Sequence, residues 1–152
     1  MEFQTLSQEH ALCIADTWHY DGIYEFYDMT ADPEDYAEFV DEIQRSKNDH
    51  YEALQDGALV GFFSVERQGT TVELGLGLRP DLCGKSLGRT FVREIIAFLE
   101  AHYTYDALIL KVAQFNQRAR RVYQACGFRE TGMVRQESNG GIYDFVVMEY
   151  QR

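Results

Sequence analysis

The segment from Thr71 to Val112 constrains the fold more than any other part of the chain. A β-prone run, Thr71–Leu78, leads through Arg79-Pro80 and a glycine-containing loop into a stretch whose Leu87, Phe91, Ile95, Phe98 and Leu99 share one helical face. The apolar, β-branched run Ala107–Val112 follows. A strand, a crossover helix and a second strand make parallel neighbours in one sheet, with the helix packed on its face. The chain is therefore predicted to be organised around a sheet that contains a parallel pair.

The flanking segments extend that sheet. Phe3–Leu6 reads as a first strand and Gln8–His19 as a helix, while Tyr20–Met29 is aromatic, acidic and irregular. Asp32-Pro33 opens a second helix, with Asp as cap and Pro at the first helical position. Its Tyr36, Phe39, Val40 and Ile43 recur at helical spacing. His50–Gln55 and Leu59–Glu66 are strand-like around the hairpin signal Asp56-Gly57, and Thr71–Leu78 continues antiparallel. Asn116 starts a short helix that ends at Gly127, and Phe128–Gln136 and Ile142–Tyr150 pair across Asn139-Gly140-Gly141. The expectation is an α/β fold in one domain, residues 1–152, with a single mixed sheet of about seven strands, antiparallel but for one central parallel pair, flanked by helices.

Composition narrows the function. Hydrophobic residues make up 45% of the chain, with ten Tyr, ten Phe and two Pro, which excludes a disordered or collagen-like chain. No apolar run approaches the ~20 residues of a membrane span, so no membrane partner is expected. The three cysteines form no C-x-x-C pair, and the polar start Glu2, Gln4, Ser7 lacks the regions of a signal peptide, so a reducing cytoplasm is expected. His10, His50 and His102 show no metal-ligand spacing, and no metal is expected. The net charge of −11 argues against nucleic acid. Residues 1–60 hold 15 Asp/Glu against 2 Lys/Arg, and the remainder 10 against 12. That acidic half is either a solubilising surface or a field that attracts cationic substrates.

The loop Leu82-Cys83-Gly84-Lys85-Ser86-Leu87-Gly88-Arg89 joins a strand end to a helix start. Such a loop turns several backbone N–H groups toward one point, backed by the helix dipole. Small residues at Gly84, Ser86 and Gly88 admit an anion to the main chain, and Lys85 and Arg89 add positive charge; a simple helix-capping turn is the alternative. A P-loop would need glycine where Arg79 stands, and a dinucleotide fingerprint starting at Gly75 would need it at Pro80.

The loop resembles the acetyl-CoA pyrophosphate loop of the GNAT superfamily of N-acetyltransferases, Gln/Arg-x-x-Gly-x-Gly/Ala, with Cys83 and Ser86 departing from the pattern. A second segment, Asn116-Gln117-Arg118-Ala119-Arg120-Arg121-Val122-Tyr123-Gln124-Ala125-Cys126-Gly127-Phe128, resembles the family's Asn-x-x-Ala-x-x-x-Tyr-x-x-x-Gly-Phe at every marked position. The resemblance covers essentially the whole chain in order and spacing. It implies acetyl-CoA as co-substrate, held by backbone N–H groups near Leu76 and Leu78, by Cys83, Gly84, Lys85, Ser86, Leu87, Gly88 and Arg89, and by Asn116 and Tyr123.

Amine acetylation needs a polarised thioester carbonyl, a deprotonated amine and a stabilised thiolate. Tyr123 lies two helical turns from Asn116, where its hydroxyl can protonate the thiolate; the alternative is a core tyrosine. Gly75 and Gly77 favour a bulge and a close approach of ligand, and Glu73 shares their face. Glu73 is thus a candidate general base, with a structural role as the alternative. Cys126 is expected to be a small buried hydrophobe rather than an acetyl carrier.

The resemblance builds the acceptor side from the first two helices and the last hairpin. Here that means Trp18, His19, Tyr20, Asp21, Tyr24, Glu25, Tyr27 and Asp28, with Tyr143 and Asp144, which would hold an ammonium by cation–π and ion-pair contacts or else form an aromatic minicore. The leading expectation is acetylation of a small, cationic primary amine by direct attack in a ternary complex. A peptide amine (protein N-terminus or lysine) is the rival acceptor, a non-catalytic acyl-CoA-binding module the rival class, and a homodimer is compatible with either.

Overall fold

Two dipeptides, Asp56-Gly57 and Asn139-Gly140, set the tight hairpins. All four residues take positive φ, 52° and 80° in the first and 53° and 77° in the second, as a two-residue type I′ turn requires. The computed structural model describes residues Met1–Arg152. Its elements are β1 (Glu2–Thr5), α1 (Gln8–Thr17), two 3-10 turns (Gly22–Tyr27 and Met29–Ala31), α2 (Pro33–Val40), α3 (Glu42–Arg45), β2 (Asp49–Gln55), β3 (Ala58–Gln68), β4 (Thr71–Leu78), a 3-10 turn (Pro80–Leu82), α4 (Leu87–His102), β5 (Ala107–Ala113), α5 (Gln117–Ala125), β6 (Phe128–Ser138) and β7 (Gly141–Tyr150). One seven-stranded sheet results, in the order β1-β2-β3-β4-β5-β7-β6, with β4–β5 as its parallel pair.

Both faces of this sheet are covered. On one, Phe91, Val92, Ile95, Ile96 and Leu99 of α4 pack on Val65, Val72, Leu74, Leu108, Leu110 and Met148. On the other, α1 and α2 enclose Leu6, Ala11, Ile14, Ala15, Trp18 and Phe39, with Phe62 of β3 packed against them. One expectation fails on this side. The apolar pattern from Tyr36 to Ile43 breaks at Asp41, whose carboxylate accepts from the N–H groups of Ile43 and Gln44 and so starts α3. A local cap outcompetes continuation of the helix, and Ile43 is left 77% exposed.

The parallel pairing stops early. Only Thr71↔Ala107, Val72↔Leu108 and Glu73↔Ile109 are in register, although β4 runs on to Leu78 and β5 to Ala113. Each strand stays held on its other side, β4 by β3 as far as Gly61↔Leu78 and β5 by β7 as far as Ala113↔Phe145. A V-shaped opening therefore separates them. It is not a bulge, since β3–β4 pairing is continuous. Gly75 and Gly77 serve close approach instead. A Cβ on Gly77 would come within 2.6 Å of the Phe62 ring and one on Gly75 within 2.8 Å of Ser64 Oγ, each on the cross-strand partner.

Where β1, β2 and α1 meet, Glu52 is fully buried. Its carboxylate accepts from Ser7 N–H at 2.9 Å, Gln4 Nε2 at 2.8 Å and His10 Nδ1 at 2.9 Å. Burial alone pushes this carboxyl upward, but these partners outweigh it and hold it below its ordinary value of 4.5. A lowered folded pKa stabilises the fold above pH 4.5, and that contribution fades as pH falls through the folded value. Glu52→Ala is expected to cost about 3 kcal/mol in urea unfolding at pH 7, with the gap to the parent chain narrowing below pH 4.5.

Candidate active site

The opening between β4 and β5 is a cleft of about 680 Å³. Leu74–Leu78 and Leu110–Val112 form its walls, the loop after β4 and the start of α4 one end, and α5 and the tyrosines 20, 24 and 27 its rim. Backbone direction along β4 follows from two contacts. Arg79 N–H donates to Val60 C=O on β3, whereas Thr70 C=O accepts from Asp106 N–H just before β5. Strand alternation then turns even-numbered residues of β4 toward β5. Leu76 and Leu78, beyond the last paired rung, direct their main-chain groups into the cleft. The Leu78 carbonyl is met there by the Tyr20 hydroxyl at 2.8 Å.

At the end of the cleft, Cys83, Gly84, Ser86, Gly88 and Arg89 line the wall, while Lys85 is exposed beside it and Leu87 is half-buried outside the lining. Ser86 takes the cap position of α4 at φ 66°, with no side-chain cap bond. It thus adopts the left-handed conformation that glycine enters freely and other residues enter at a cost of about 1–2 kcal/mol. The Cys83 thiol is half-buried and pushed up by burial, Arg118 opposing and Asp81 adding, so it remains a neutral thiol.

Asn116 and Tyr123 stand on the opposite rim. Asn116 caps α5 through Oδ1 to Ala119 N–H at 3.1 Å, and its Nδ2 donates to the Tyr27 hydroxyl at 3.2 Å. The Tyr123 hydroxyl makes no hydrogen bond to any protein group, unlike those of Tyr20 and Tyr27. Burial, with Tyr27, Cys126 and Cys83 adding to it, pushes this hydroxyl above the ordinary tyrosine range, so it stays protonated at neutral pH. Cys126 is buried at the end of α5, its thiol directed to Arg89 C=O at 3.7 Å.

Glu73 occupies the last paired rung, at the root of the opening rather than in its wall. Its carboxylate pairs with Lys111 Nζ at 3.2 Å, and Lys111 does line the cleft.

The expected acceptor residues separate into four groups. Trp18 is 5% exposed and packs in the α1–α2 core, 6.0 Å from Phe62, outside the cleft lining. Asp28 is also buried, its carboxylate accepting from Tyr20 N–H at 2.7 Å and His19 Nδ1 at 2.9 Å, which closes the segment on itself. Asp21 and Glu25 are exposed and outside the cleft lining. Tyr20, Tyr24 and Tyr27 line the cleft. Tyr143 joins an aromatic cluster centred on Phe26, at 4.8 Å, with Tyr27, Phe115 and Phe145 around the same ring. Asn139 of the last hairpin anchors that cluster by donating to Phe26 C=O at 2.8 Å, and Asp144 pairs with Arg135 at 3.1 Å.

Residues 2–129 match the family model described as acetyltransferase (GNAT) domain. The chain belongs to the GNAT acetyltransferase family. It is 29% identical to the N-alpha-acetyltransferase RimI of Mycobacterium tuberculosis over 109 residues, 68% of this chain and 66% of that protein, so the match spans just under two thirds of the relative's length. Among solved structures, a spermidine N-acetyltransferase SpeG chimera from Vibrio cholerae and hSSAT superposes with a TM-score of 0.75 at 18% identity, covering 99% of this chain and 95% of that one. Aminoglycoside acetyltransferase AAC(6')-Ib in complex with coenzyme A gives 0.74 at 17% identity, covering 95% and 92%. At these identities the shared feature is the GNAT fold.

Like Lys111 of β5, two arginines of α5 that line the cleft, Arg118 and Arg121, escaped the reading of this GNAT sequence. Both fall in the motif segment, at positions the family pattern leaves open, and their charge beside an anion loop is the signal that points to them. Ser86 generates the test of the loop. Ser86→Gly relieves a left-handed serine but adds freedom to the unfolded chain, so a net gain of about 0.5–1 kcal/mol is expected, read as a rise in Tm of about 1–4 °C by calorimetry.

Proposed function

We propose that this protein is an acetyl-CoA-dependent N-acetyltransferase that acetylates a small primary amine by direct attack in a ternary complex. The observation that carries the reading is the convergence on one cleft of the open edge of β4, the N-terminal loop of α4 and the unpartnered Tyr123 hydroxyl. Acetyl-CoA supplies an acetyl group activated as a thioester. The residues present fit it. Backbone N–H groups from Gly84 to Gly88, with Arg89, Arg118 and Arg121, form a cationic cradle suited to a diphosphate. The main-chain groups of Leu76 and the N–H of Leu78, beyond the last paired rung, offer strand-like hydrogen bonds to an extended pantetheine arm, and one N–H can polarise the thioester carbonyl.

Tyr123 acts in this scheme as the acid. As the amine nitrogen bonds to the carbonyl carbon and the C–S bond breaks, the hydroxyl gives its proton to the departing thiolate. The proton lost by the amine leaves toward Glu73 through water, with Lys111 positioning the carboxylate. The tyrosines 20, 24 and 27 form an aromatic rim for a cationic acceptor, and Asp21 and Glu25 contribute the outer field.

Three outcomes are expected. Acetyl-CoA at 100 times its Kd adds about 2.7 kcal/mol of stability, seen as a thermal shift that NAD and ATP do not produce. In an assay of CoA release over amines and peptides, Tyr123→Phe lowers kcat about 10- to 100-fold with acetyl-CoA affinity unchanged; equal losses of affinity and stability would mark a structural hydroxyl. Asp21→Asn with Glu25→Gln raises KM for the best cationic amine and flattens its salt dependence, because exposed charges are screened over ~10 Å at 0.1 M salt. Turnover of peptides but not free amines would move the assignment to a protein acetyltransferase.

A further inference from the structure

Charge is distributed one-sidedly in the cleft. Its lining holds four cationic side chains, Arg89, Lys111, Arg118 and Arg121, and no carboxylate. The arginines sit with the α4 loop and α5, which leaves Lys111, balanced by Glu73 at 3.2 Å, as the charged group of the strand wall. Other carboxylates of the acceptor side are occupied or outside. Asp28 is buried against Tyr20 N–H and His19, Asp144 pairs with Arg135 at 3.1 Å, and Asp21 and Glu25 stand exposed beyond the lining. One face of the Tyr24 ring is already taken by the Arg118 guanidinium at 4.0 Å. A second ammonium on the acceptor would shed water here without gaining a counter-ion, which is unfavourable.

What the acceptor side does offer is apolar. Tyr27 lines the cleft and also packs 5.3 Å from Phe26, whose ring is flanked by Phe115 at 5.3 Å and Tyr143 at 4.8 Å. These three outer rings stay open to water, Tyr27 and Phe115 at 36% and Tyr143 at 37% exposure. Phe145 of β7 backs Phe26 at 6.1 Å, so the cluster rests on the sheet. An apolar surface that is continuous with a cleft and left half-open has the character of a ligand-binding shelf.

We infer, resting on the acetyltransferase reading above, that the acceptor is a monoamine carried on an aromatic or alkyl body, and that the shelf of Tyr27, Phe115 and Tyr143 holds this body while the amine reaches the cleft. Such an acceptor brings one positive charge and loses it with the proton that attack removes, so no unpaired charge stays behind. Its body gains a preference of roughly fourfold for each methylene that the shelf takes out of water.

Rates of CoA release with amines matched in size test the inference. Pentylamine and 1,4-diaminobutane differ in a terminal methyl against an ammonium, and kcat/KM for pentylamine is expected to be about tenfold higher or more. Phenylethylamine is expected to exceed ethylamine, which is too short to reach the shelf, by about 30-fold or more. Phe115→Ala is expected to lower this phenylethylamine-to-ethylamine ratio about tenfold, and Phe115→Leu to restore most of it, whereas a merely structural loss lowers both rates together and leaves the ratio fixed. A diamine preferred over its monoamine match, or a ratio that Phe115→Ala does not move, overturns the inference while acetylation of a small amine stands. A chain that releases no CoA with any amine overturns the proposed function and the inference with it.

Discussion

Everything at the candidate site depends on a pairing that ends after three rungs. β4 and β5 begin as neighbours at Thr71–Glu73 and Ala107–Ile109, then diverge. Unpaired main-chain groups inside a protein normally cost free energy, and two adjacent strands can part only if other partners hold them apart. Here β3 and β7 do so, since β4 and β5 keep their outer partners over nearly their whole lengths. The α4 core packs beneath, and the Phe62 ring and Ser64 hydroxyl lie directly over Gly77 and Gly75. The cleft is thus built by the sheet rather than carved from a loop, and this puts its open edge groups on a stiff frame.

Much of this architecture could be read from the residues. The Asp-Gly and Asn-Gly turns, the crossover helix with its Phe91–Leu99 face and the capped α5 each follow local rules that the rest of the chain does not contradict. Misreadings arose where local and global signals compete. Ile43 carries the right spacing for a buried face, yet Asp41, two residues earlier, caps a new turn and turns it outward. Gly75 and Gly77 signal irregular backbone, whereas their real constraint is the size of the side chains directly across β3, which a one-dimensional pattern does not reveal.

The candidate site was legible to the same degree. Positions carried by main-chain geometry, such as Leu76, Leu78 and the α4 loop, follow from motif and alternation. Side-chain roles on the acceptor side depend on which of several similar residues face inward. Tyr20 and Tyr24 do, Trp18 does not, and Asp28 turns back to bind its own segment. Aromatic and acidic residues interleaved over ten positions look alike in sequence, and the two 3-10 turns that sort them have no periodicity strong enough to predict.

Trp18 is the sole tryptophan, and it is buried on the α1–α2 face, away from the larger core under α4. Tryptophan fluorescence of this protein, excited selectively over its ten tyrosines, is therefore a one-sided signal. It reports whether α1 and α2 remain seated on Phe62 and is blind to the packing of α4. Circular dichroism, by contrast, averages over both layers. Coincident melting by the two probes would mean that the small and large cores dissolve as one cooperative unit, and an earlier fluorescence change would mark the acceptor-side layer as a separately unfolding part.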